Sequence, residues 1–212
     1  MSLVVEKVLN GRLFEICYFA HSDESLNTIC VDPGYDTKRI LDYIESKNLI
    51  VTDILLTHGH FDHMLSCKVL QDRFNSNVYI SNTDEKILYE PEHNYANLIN
   101  KTDFDRIDIK KNIYDSETIV INGFAIKCLS TPGHTEGSFC YYFEDDKVLF
   151  SGDTLFFKTY GRCDLYTGDI NKIKESINNK LFKLPDDTIV YPGHGNSTYI
   201  SDEKINNEIL VM

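Results

Sequence analysis

The sequence predicts one α/β domain over residues 1–212, built in layers of helix, sheet, sheet and helix. Strand and helix patterns alternate along the first third of the chain, and strand patterns restart in the second half. Asn10-Gly11 and Asn122-Gly123, each a strong β-hairpin signal, open the two halves. Because no linker or low-complexity segment separates the halves, we expect them to interlock, with two mixed sheets face to face and the helices outside.

The first half of the chain alternates between the two hydrophobic periodicities. Apolar residues at helical spacing between Asp36 and Asn48 predict an amphipathic helix, flanked by strand-like runs that end at Pro33-Gly34 and Thr57. The predicted elements, in chain order, are strands at 3–8, 12–20 and 27–32, a helix at 36–48, a strand at 51–57, a helix at about 63–74, a strand at 77–81 and a short helix near 83–90.

The second half begins after a polar segment from Pro91 to Asp115 that shows no clear period. We expect this segment to run over the surface, and loops of this length are often lids or binding loops. The predicted elements that follow are two strands within 117–130, strands at 138–143 and 147–152, a helix at 170–181, a strand at 188–193 and a terminal helix from about residue 201.

The composition indicates a soluble, acidic, globular protein. The 212 residues, 42% of them apolar, suffice for one domain with a buried core but not for two ordinary ones. The net charge of −12 argues against a nucleic-acid partner, because phosphate binding needs a basic surface. No apolar run approaches the roughly 20 residues that span a bilayer, and the N-terminus lacks a signal-peptide pattern. We therefore expect a cytoplasmic protein with no membrane attachment, and its oligomeric state stays open.

The six cysteines do not indicate a metal or redox motif. None are in C-x-x-C spacing, and four of them lie in apolar, strand-like runs. This pattern favours buried thiols in a reducing cytoplasm. Cys163 differs because it lies in a polar loop, and the sequence assigns it no role.

A dense polar cluster follows the apolar run "TDILLT", in the stretch "THGHFDH". His58 and His60 are two residues apart, so in an extended segment their imidazoles point to the same side. Asp62 and His63 follow where the strand gives way to a helix, which lets both side chains turn toward a second point. Four ionisable groups in six residues are hard to explain as packing, and the cluster therefore predicts a functional site.

Three further segments repeat the same arrangement, a polar residue in a glycine-containing turn directly after an apolar strand. "STPGHTEGS" contains His134, "LFSGDTLF" contains Asp153 and "IVYPGHGNS" contains His194. Rigid strands commonly present functional residues from their ends in this way. We therefore expect the four segments to meet at one site.

These segments resemble the motifs of the metallo-β-lactamase superfamily. "THGHFDH", "TPGHTEGS", "SGDT" and "YPGHG" occur in the order and approximate spacing of that superfamily. The longer string "GDTLFFKTYGRCDLYTGD" is similar to the glyoxalase II-like, or hydroxyacylglutathione hydrolase-like, branch. The resemblance implies an αββα sandwich with a two-metal site at one edge of the sheets. Only about 18 residues follow His194, so we expect a short form without the C-terminal helical domain of glyoxalase II.

The resemblance also implies a ligand set for two divalent metal ions. Its members would be His58, His60 and His134 for the first ion, Asp62, His63 and His194 for the second, and Asp153 as the bridge. Five imidazoles and two carboxylates suit zinc, and iron or manganese are also compatible. Two cations about 4 Å apart need an anionic bridge, which Asp153 and a hydroxide can provide.

The implied reaction is hydrolysis of a small-molecule thioester, such as a 2-hydroxyacyl thioester. A metal-bridging hydroxide would attack the carbonyl carbon, with Asp62 as the catalytic residue that orients it and takes a proton. The alternative within the superfamily is a mononuclear-iron persulfide dioxygenase that uses only His58, His134 and Asp153. Neither the acyl group nor the thiol carrier can be named from the sequence.

Candidate substrate contacts lie in the string after Asp153. Arg162 is always charged and is the candidate contact for a substrate anion. The other interpretation of Arg162 is an ion pair with Asp164 or Asp169 that shapes the loop. Lys158 and Tyr160 are predicted to line the same mouth.

Overall fold

The computed structural model, which describes residues 1–11 and 13–211, contains two six-stranded mixed β-sheets. The strands of the first sheet, in spatial order, are β1 (Leu3–Asn10), β2 (Glu15–Ser22), β3 (Asn27–Val31), β4 (Ile50–Leu55), β5 (Asn77–Ser81) and β6 (Ile109–Ile113). Strands β1 to β3 pair antiparallel, whereas β3 to β6 pair parallel.

The second sheet is formed by the second half of the chain. From one edge to the other it contains β7 (Thr118–Ile121), β8 (Phe124–Ser130), β9 (Phe139–Phe143), β10 (Val148–Gly152), β13 (Ile189–Pro192) and β14 (Thr198–Tyr199). Between β10 and β13 in the sequence lies a small ribbon of β11 (Leu155–Phe156) and β12 (Thr159–Tyr160). Strands β10 and β13 are parallel, and the other neighbours in this sheet are antiparallel.

The helices connect the strands and cover the outer faces of the sheets. They are α1 (Thr37–Lys47), α2 (Phe61–Met64), α3 (Cys67–Phe74), α4 (Asn82–Glu85), α5 (Ile170–Asn179) and α6 (Ile200–Asn206). Short 3₁₀ helices span Lys86–Tyr89, Ala96–Ile99, Leu181–Lys183 and Glu208–Val211. In the described part of the chain, no helix is both long and apolar enough to cross a membrane.

Three apolar layers confirm the predicted helix–sheet–sheet–helix arrangement. Alternation along β2 sends Ile16 and Tyr18 toward the second sheet, where the Tyr18 ring lies 5.3 Å from that of Phe150. The intervening Cys17 and Phe19 face the helices on the other side. A third cluster packs the second sheet against α5 and α6. Each sheet is therefore buried on both faces over its central strands.

Both predicted hairpins are present, but the first does not turn at Asn10-Gly11, because Asn10 is the last residue of β1 and pairs with Glu15. The β1–β2 pair is in register from Leu3 opposite Ser22 to Asn10 opposite Glu15. In the β7–β8 hairpin, Asn122 and Gly123 both have positive φ, at 51° and 88°, as the two-residue turn requires. The strand predicted at 12–20 begins at Glu15, and Arg12 lies outside the described residues.

The single helix predicted at about 63–74 was wrong, because the structure has α2 and α3 in its place. The break falls at Leu65 and Ser66. The Ser66 N–H donates to the carbonyl of Gly34 at 2.7 Å, so a neighbouring turn replaces the intrahelical partner. Because of this break, α2, which begins at Phe61, is a separate helix from α3.

The segment 91–115 contains a strand that the sequence analysis missed. Strand β6 lies at the sheet edge beside β5, and the lysines in "IKKNI" hid its apolar alternation. Charged residues are expected on an edge strand, where one side is open to water. The three two-residue strands β11, β12 and β14 were also not predicted. Residues 91–107 otherwise form the irregular surface segment that was expected, with one 3₁₀ turn.

Candidate metal centre

All seven predicted ligands meet at one edge of the two sheets. His58 and His60 follow β4, and Asp62 and His63 lie in α2. The other three ligands each follow a strand of the second sheet: His134 after β8, Asp153 after β10 and His194 after β13. Because β4, β10 and β13 belong to parallel pairs, their carboxyl ends can present side chains to a common point.

The first group of ligand atoms consists of three buried imidazoles. His58, His60 and His134 each place one ring nitrogen within 4.8 Å of the others. The Nε2 atom of His134 lies 2.9 Å from Nδ1 of His60. The three rings meet edge to face, with centroids 4.7 to 4.8 Å apart.

The second group combines two imidazoles with a carboxylate. Asp62, His63 and His194 also lie within 4.8 Å of one another. The Oδ2 atom of Asp62 is 3.8 Å from Nε2 of His63 and 3.4 Å from Nε2 of His194.

Asp153 lies between the two groups. Its Oδ2 atom is 3.5 Å from Nε2 of His134 and 3.6 Å from Nε2 of His194, while Oδ1 is 3.5 Å from Nε2 of His63. One carboxylate therefore contacts a histidine of the first group and both histidines of the second. This is the position that a bridging ligand requires.

The electrostatics favour ionised carboxylates and neutral rings at His58 and His60. At His63 and His194 burial opposes the charged form, but the adjacent carboxylates raise the pKa of both rings. Burial and the neighbouring histidines lower the pKa of His58 well below its usual value, and burial and His134 lower the pKa of His60 to about 3. Burial opposes ionisation of Asp62 and Asp153, but the surrounding histidines hold the pKa of each carboxyl below its ordinary value. A neutral imidazole and an ionised carboxylate are the forms that bind a cation.

Several buried polar atoms of the cluster lack a hydrogen-bond partner, which shows whether the site suits a metal ion. Nε2 of His58, Nε2 of His63 and Oδ1 of Asp153 are buried and have no hydrogen-bond partner. Leaving such atoms unpaired is costly, and all three face the cluster. A nitrogen and oxygen donor set of this kind suits a divalent cation, so the residues present fit the metal ions that the motifs imply.

The outer nitrogens of four histidines are held by fixed acceptors. Nδ1 of His134 donates to the carbonyl of Arg162 at 2.8 Å, and Nδ1 of His194 donates to the carbonyl of Leu13 at 3.1 Å. Asp32 holds the His63 ring through Nδ1, and the Thr57 hydroxyl holds the His58 ring through Nδ1. Each bond fixes the tautomer that leaves Nε2 free to bind a metal.

Asp32 is a buried positioning residue that the sequence analysis missed. Its Oδ2 accepts from Nδ1 of His63 at 3.0 Å and from the Thr57 hydroxyl at 2.6 Å, and Oδ1 accepts from the Thr57 N–H at 2.8 Å. The Thr57 hydroxyl in turn accepts from Nδ1 of His58 at 3.1 Å. One carboxylate thus orients a histidine in each group. The available signal was "VDPG", a polar residue directly after a buried strand and beside a Pro-Gly turn.

Asp32→Asn is expected to weaken metal binding by about 10- to 100-fold while preserving the fold. Asp32 has a φ of 50°, a conformation that asparagine tolerates, but an amide cannot accept all three hydrogen bonds. Competition with a chelator measures the affinity. The matched control is Asp53→Asn, at a buried aspartate that contacts Asn77 and Tyr79 instead of the site. Equal metal affinity in the two variants would contradict the role of Asp32.

Asp84 is a second buried carboxylate that was not predicted. Its oxygens accept from the backbone N–H groups of Gly59 and Gly137, both at 2.9 Å, and from the Thr135 hydroxyl at 2.8 Å. Gly59 lies between two ligands, His58 and His60, and Thr135 follows another. Asp84 therefore ties the ligand-bearing loops of the two sheets together.

A pocket of about 520 Å³ opens beside the centre. Its lining residues are Leu13, His60, Phe61, Asp62, Tyr95, Leu98, His134, Asp153, Phe156, Thr159, Tyr160, Arg162, Leu165 and His194. Five of the seven candidate ligands, Asp62 among them, and two of the three predicted substrate contacts, Tyr160 and Arg162, therefore line this pocket.

The predicted substrate contacts differ in their surroundings. The Arg162 guanidinium forms two hydrogen bonds with the Asp164 carboxylate, at 2.7 and 2.6 Å, which is the ion-pair interpretation of this residue. Asp169 instead caps α5. Lys158 lies outside the pocket lining, because it occupies the turn between β11 and β12 with its ammonium 5.0 Å from the Phe157 ring centre. The Cys163 thiol donates to the carbonyl of Gly161.

Comparisons with known proteins agree with this geometry. A family model for the metallo-beta-lactamase superfamily matches residues 24–194. A probable metallo-hydrolase of Streptococcus pyogenes serotype M6 is 34% identical over 207 residues, which cover 96% of this chain and 88% of the relative. The hydroxyacylglutathione hydrolase GloC of Haemophilus influenzae is 34% identical over 189 residues, 89% of each protein. The crystal structure of BLEG-1 B3 metallo-beta-lactamase superposes with a TM-score of 0.93 at 31% identity, over 99% of this chain and 100% of that one.

An αββα sandwich that carries histidine and aspartate ligands for divalent metal ions at its sheet edge defines a class of metal-dependent hydrolases. The chain belongs to the metallo-beta-lactamase superfamily, as the family model and the relatives show.

Proposed function

We propose that the protein hydrolyses a small-molecule thioester, of the 2-hydroxyacyl class. The observation that carries this proposal is the pair of ligand groups joined by Asp153, placed at the base of an open pocket. Among the described residues that line this pocket, none is a serine or a cysteine. The arrangement therefore suits attack by an activated water rather than by a side-chain nucleophile.

The residues of the centre would serve either as metal ligands or in proton transfer. His58, His60 and His134 would hold one metal ion, and Asp62, His63 and His194 the other, with Asp153 between them. When bound, the two ions supply a hydroxide at neutral pH and polarise the substrate carbonyl. Asp62 lines the pocket with its Oδ2 toward the histidines, which leaves Oδ1 to orient the attacking water and accept its proton.

One comparison supports the reaction class. The relative in Haemophilus influenzae is named a hydroxyacylglutathione hydrolase, and it matches 89% of this chain. The persulfide dioxygenase alternative would use only His58, His134 and Asp153, and it is the second candidate because such enzymes of the superfamily retain the other ligands too. The donor set suits zinc, with iron and manganese also compatible. The charge of −12 supports a small-molecule partner rather than a nucleic acid.

The test is thiol release from a lactoyl thioester by protein reconstituted with zinc, iron or manganese. Hydrolysis that requires added metal is the expected result, and metal-free protein is the control. Oxygen consumption with a persulfide is measured in parallel, because it would identify the dioxygenase alternative. A chromogenic β-lactam is the third substrate, since a solved structure named as a metallo-beta-lactamase superposes on the whole chain. Oxygen consumption without thioester hydrolysis would contradict the proposal.

A further inference from the structure

The pocket beside the metal centre has an apolar wall that the reaction itself does not use. Beside the ligands, the lining includes Leu13, Tyr95, Leu98, Phe156 and Leu165, contributed by three separate segments of the chain. Leu98 is 72% exposed and Leu13 is 49% exposed. Concave sites lined with apolar side chains commonly bind an apolar group, which would cover such surface.

The same wall offers no free cation among the residues that the structure describes. Among the described lining residues, Arg162 is the lysine or arginine present, and its Nε and Nη2 donate to Asp164, whose negative charge offsets that of the guanidinium. The Lys158 ammonium lies outside the pocket. A substrate carboxylate placed against this wall would therefore lose water and would have to compete with Asp164 for Arg162, which is unfavourable. The acidic chain as a whole, with a net charge of −12, adds to this effect.

The wall is held in place by contacts between two loops. The Tyr95 hydroxyl accepts from the Tyr166 N–H at 2.6 Å, and the His93 ring stacks on that of Tyr166 at 3.7 Å. The Phe61 N–H donates to the carbonyl of Asn94 at 2.9 Å, so the segment is also fixed to α2. An apolar surface that is fixed in advance binds its ligand with less ordering cost.

We infer that the pocket selects thioesters whose thiol portion is apolar and uncharged over thioesters of glutathione, which carries two carboxylates. This inference rests on the proposed thioester hydrolysis and names its substrate class. The carbonyl would lie at the metal centre, and the thiol portion would lie against Leu98, Tyr95 and Leu13. The segment 91–107 thereby supplies part of the substrate-binding wall.

The test compares two thioesters that share the lactoyl group, one of benzyl mercaptan and one of glutathione. The metal-loaded protein is expected to show a kcat/KM at least about tenfold higher for the benzyl thioester. A preference for the glutathione thioester, or equal values, would overturn this inference but leave thioester hydrolysis intact. Failure to hydrolyse either ester with both metals bound would overturn the proposed function, and this inference with it.

Charge variants test the wall directly. Leu98→Lys places a cation in the pocket and should lower the benzyl-to-glutathione ratio of kcat/KM by about tenfold, since one charge-assisted contact has this magnitude. Asp164→Asn frees the Arg162 guanidinium and should shift the ratio in the same direction. Leu26→Lys is the matched control, because Leu26 is 45% exposed and lies outside the pocket. A ratio in Leu98→Lys equal to that in Leu26→Lys would overturn the inference.

Discussion

His63→Ala is expected to reduce kcat for thioester hydrolysis by on the order of 10³-fold and to leave the protein with one metal ion. His63 is fully buried, and its Nε2 faces Asp62 and Asp153 without a hydrogen-bond partner. Removing the ring takes away a ligand of the second group, so the charge stabilisation that the second ion supplies is lost. A factor of 10³ corresponds to roughly 4 kcal/mol of transition-state stabilisation.

The same variant separates the two reaction classes. In a mononuclear-iron oxygenase that uses His58, His134 and Asp153, His63 only neighbours the metal, so iron content and oxygen consumption should persist. Metal content by mass spectrometry and both activities are measured beside the parent protein. His21→Ala is the control, since His21 lies near the end of β2, outside the candidate ligand set, and its ring nitrogen contacts the adjacent Ser22 carbonyl. Near-full thioesterase activity with one metal in His63→Ala would contradict the binuclear mechanism.

Asp84→Ala is expected to lower the free energy of unfolding by about 4 kcal/mol. The substitution leaves three buried donors, the N–H groups of Gly59 and Gly137 and the Thr135 hydroxyl, without their acceptor. Each unpaired buried donor costs about 1 to 3 kcal/mol. Burial raises the pKa of Asp84, although these donors oppose the shift. The carboxylate is retained at a desolvated position because it joins the two halves of the site.

Denaturant unfolding of the metal-free protein measures this effect without a contribution from metal binding. The matched control is Asp72→Ala, which removes an exposed carboxylate paired with Lys68 and should cost less than about 1 kcal/mol. Because Asp84 positions the loops of His58 and His134, we also expect weaker metal binding in Asp84→Ala. A change in unfolding free energy no larger than that of the control would contradict the structural role.

The ligand positions could be predicted from the sequence because each depends on a local pattern. His134 and His194 each follow an apolar strand and a Pro-Gly turn, and His58 and His60 follow the strand β4. The parallel pairing of β4 with β3 and of β13 with β10 places the carboxyl ends of those strands at the edge where the site lies. The longer strands with a clear apolar pattern were also predicted close to their observed bounds, whereas the edge strand β6 and the two-residue strands were not.

The residues that support the ligands could not be predicted with the same ease, since their roles depend on distant contacts. Asp32 is 31 residues from His63, and Asp84 is 53 residues from Gly137. Nothing in the local sequence around Asp84 distinguishes it from an ordinary surface aspartate. The pocket wall is a similar case, because the segment of Tyr95 and Leu98 is held beside the ligands by contacts with the loop around Tyr166 and with α2.

The measurement that tests the central claim most directly is a titration of metal-free protein with zinc, in which bound metal and lactoyl-thioester hydrolysis are followed together. Asp153 contacts histidines of both ligand groups. In the proposed mechanism, each group must therefore hold a metal ion before the centre is catalytic. We predict binding of two ions per chain, with most of the activity appearing as the second ion binds. Saturation at one ion per chain, with full hydrolytic activity at that point, would contradict the account.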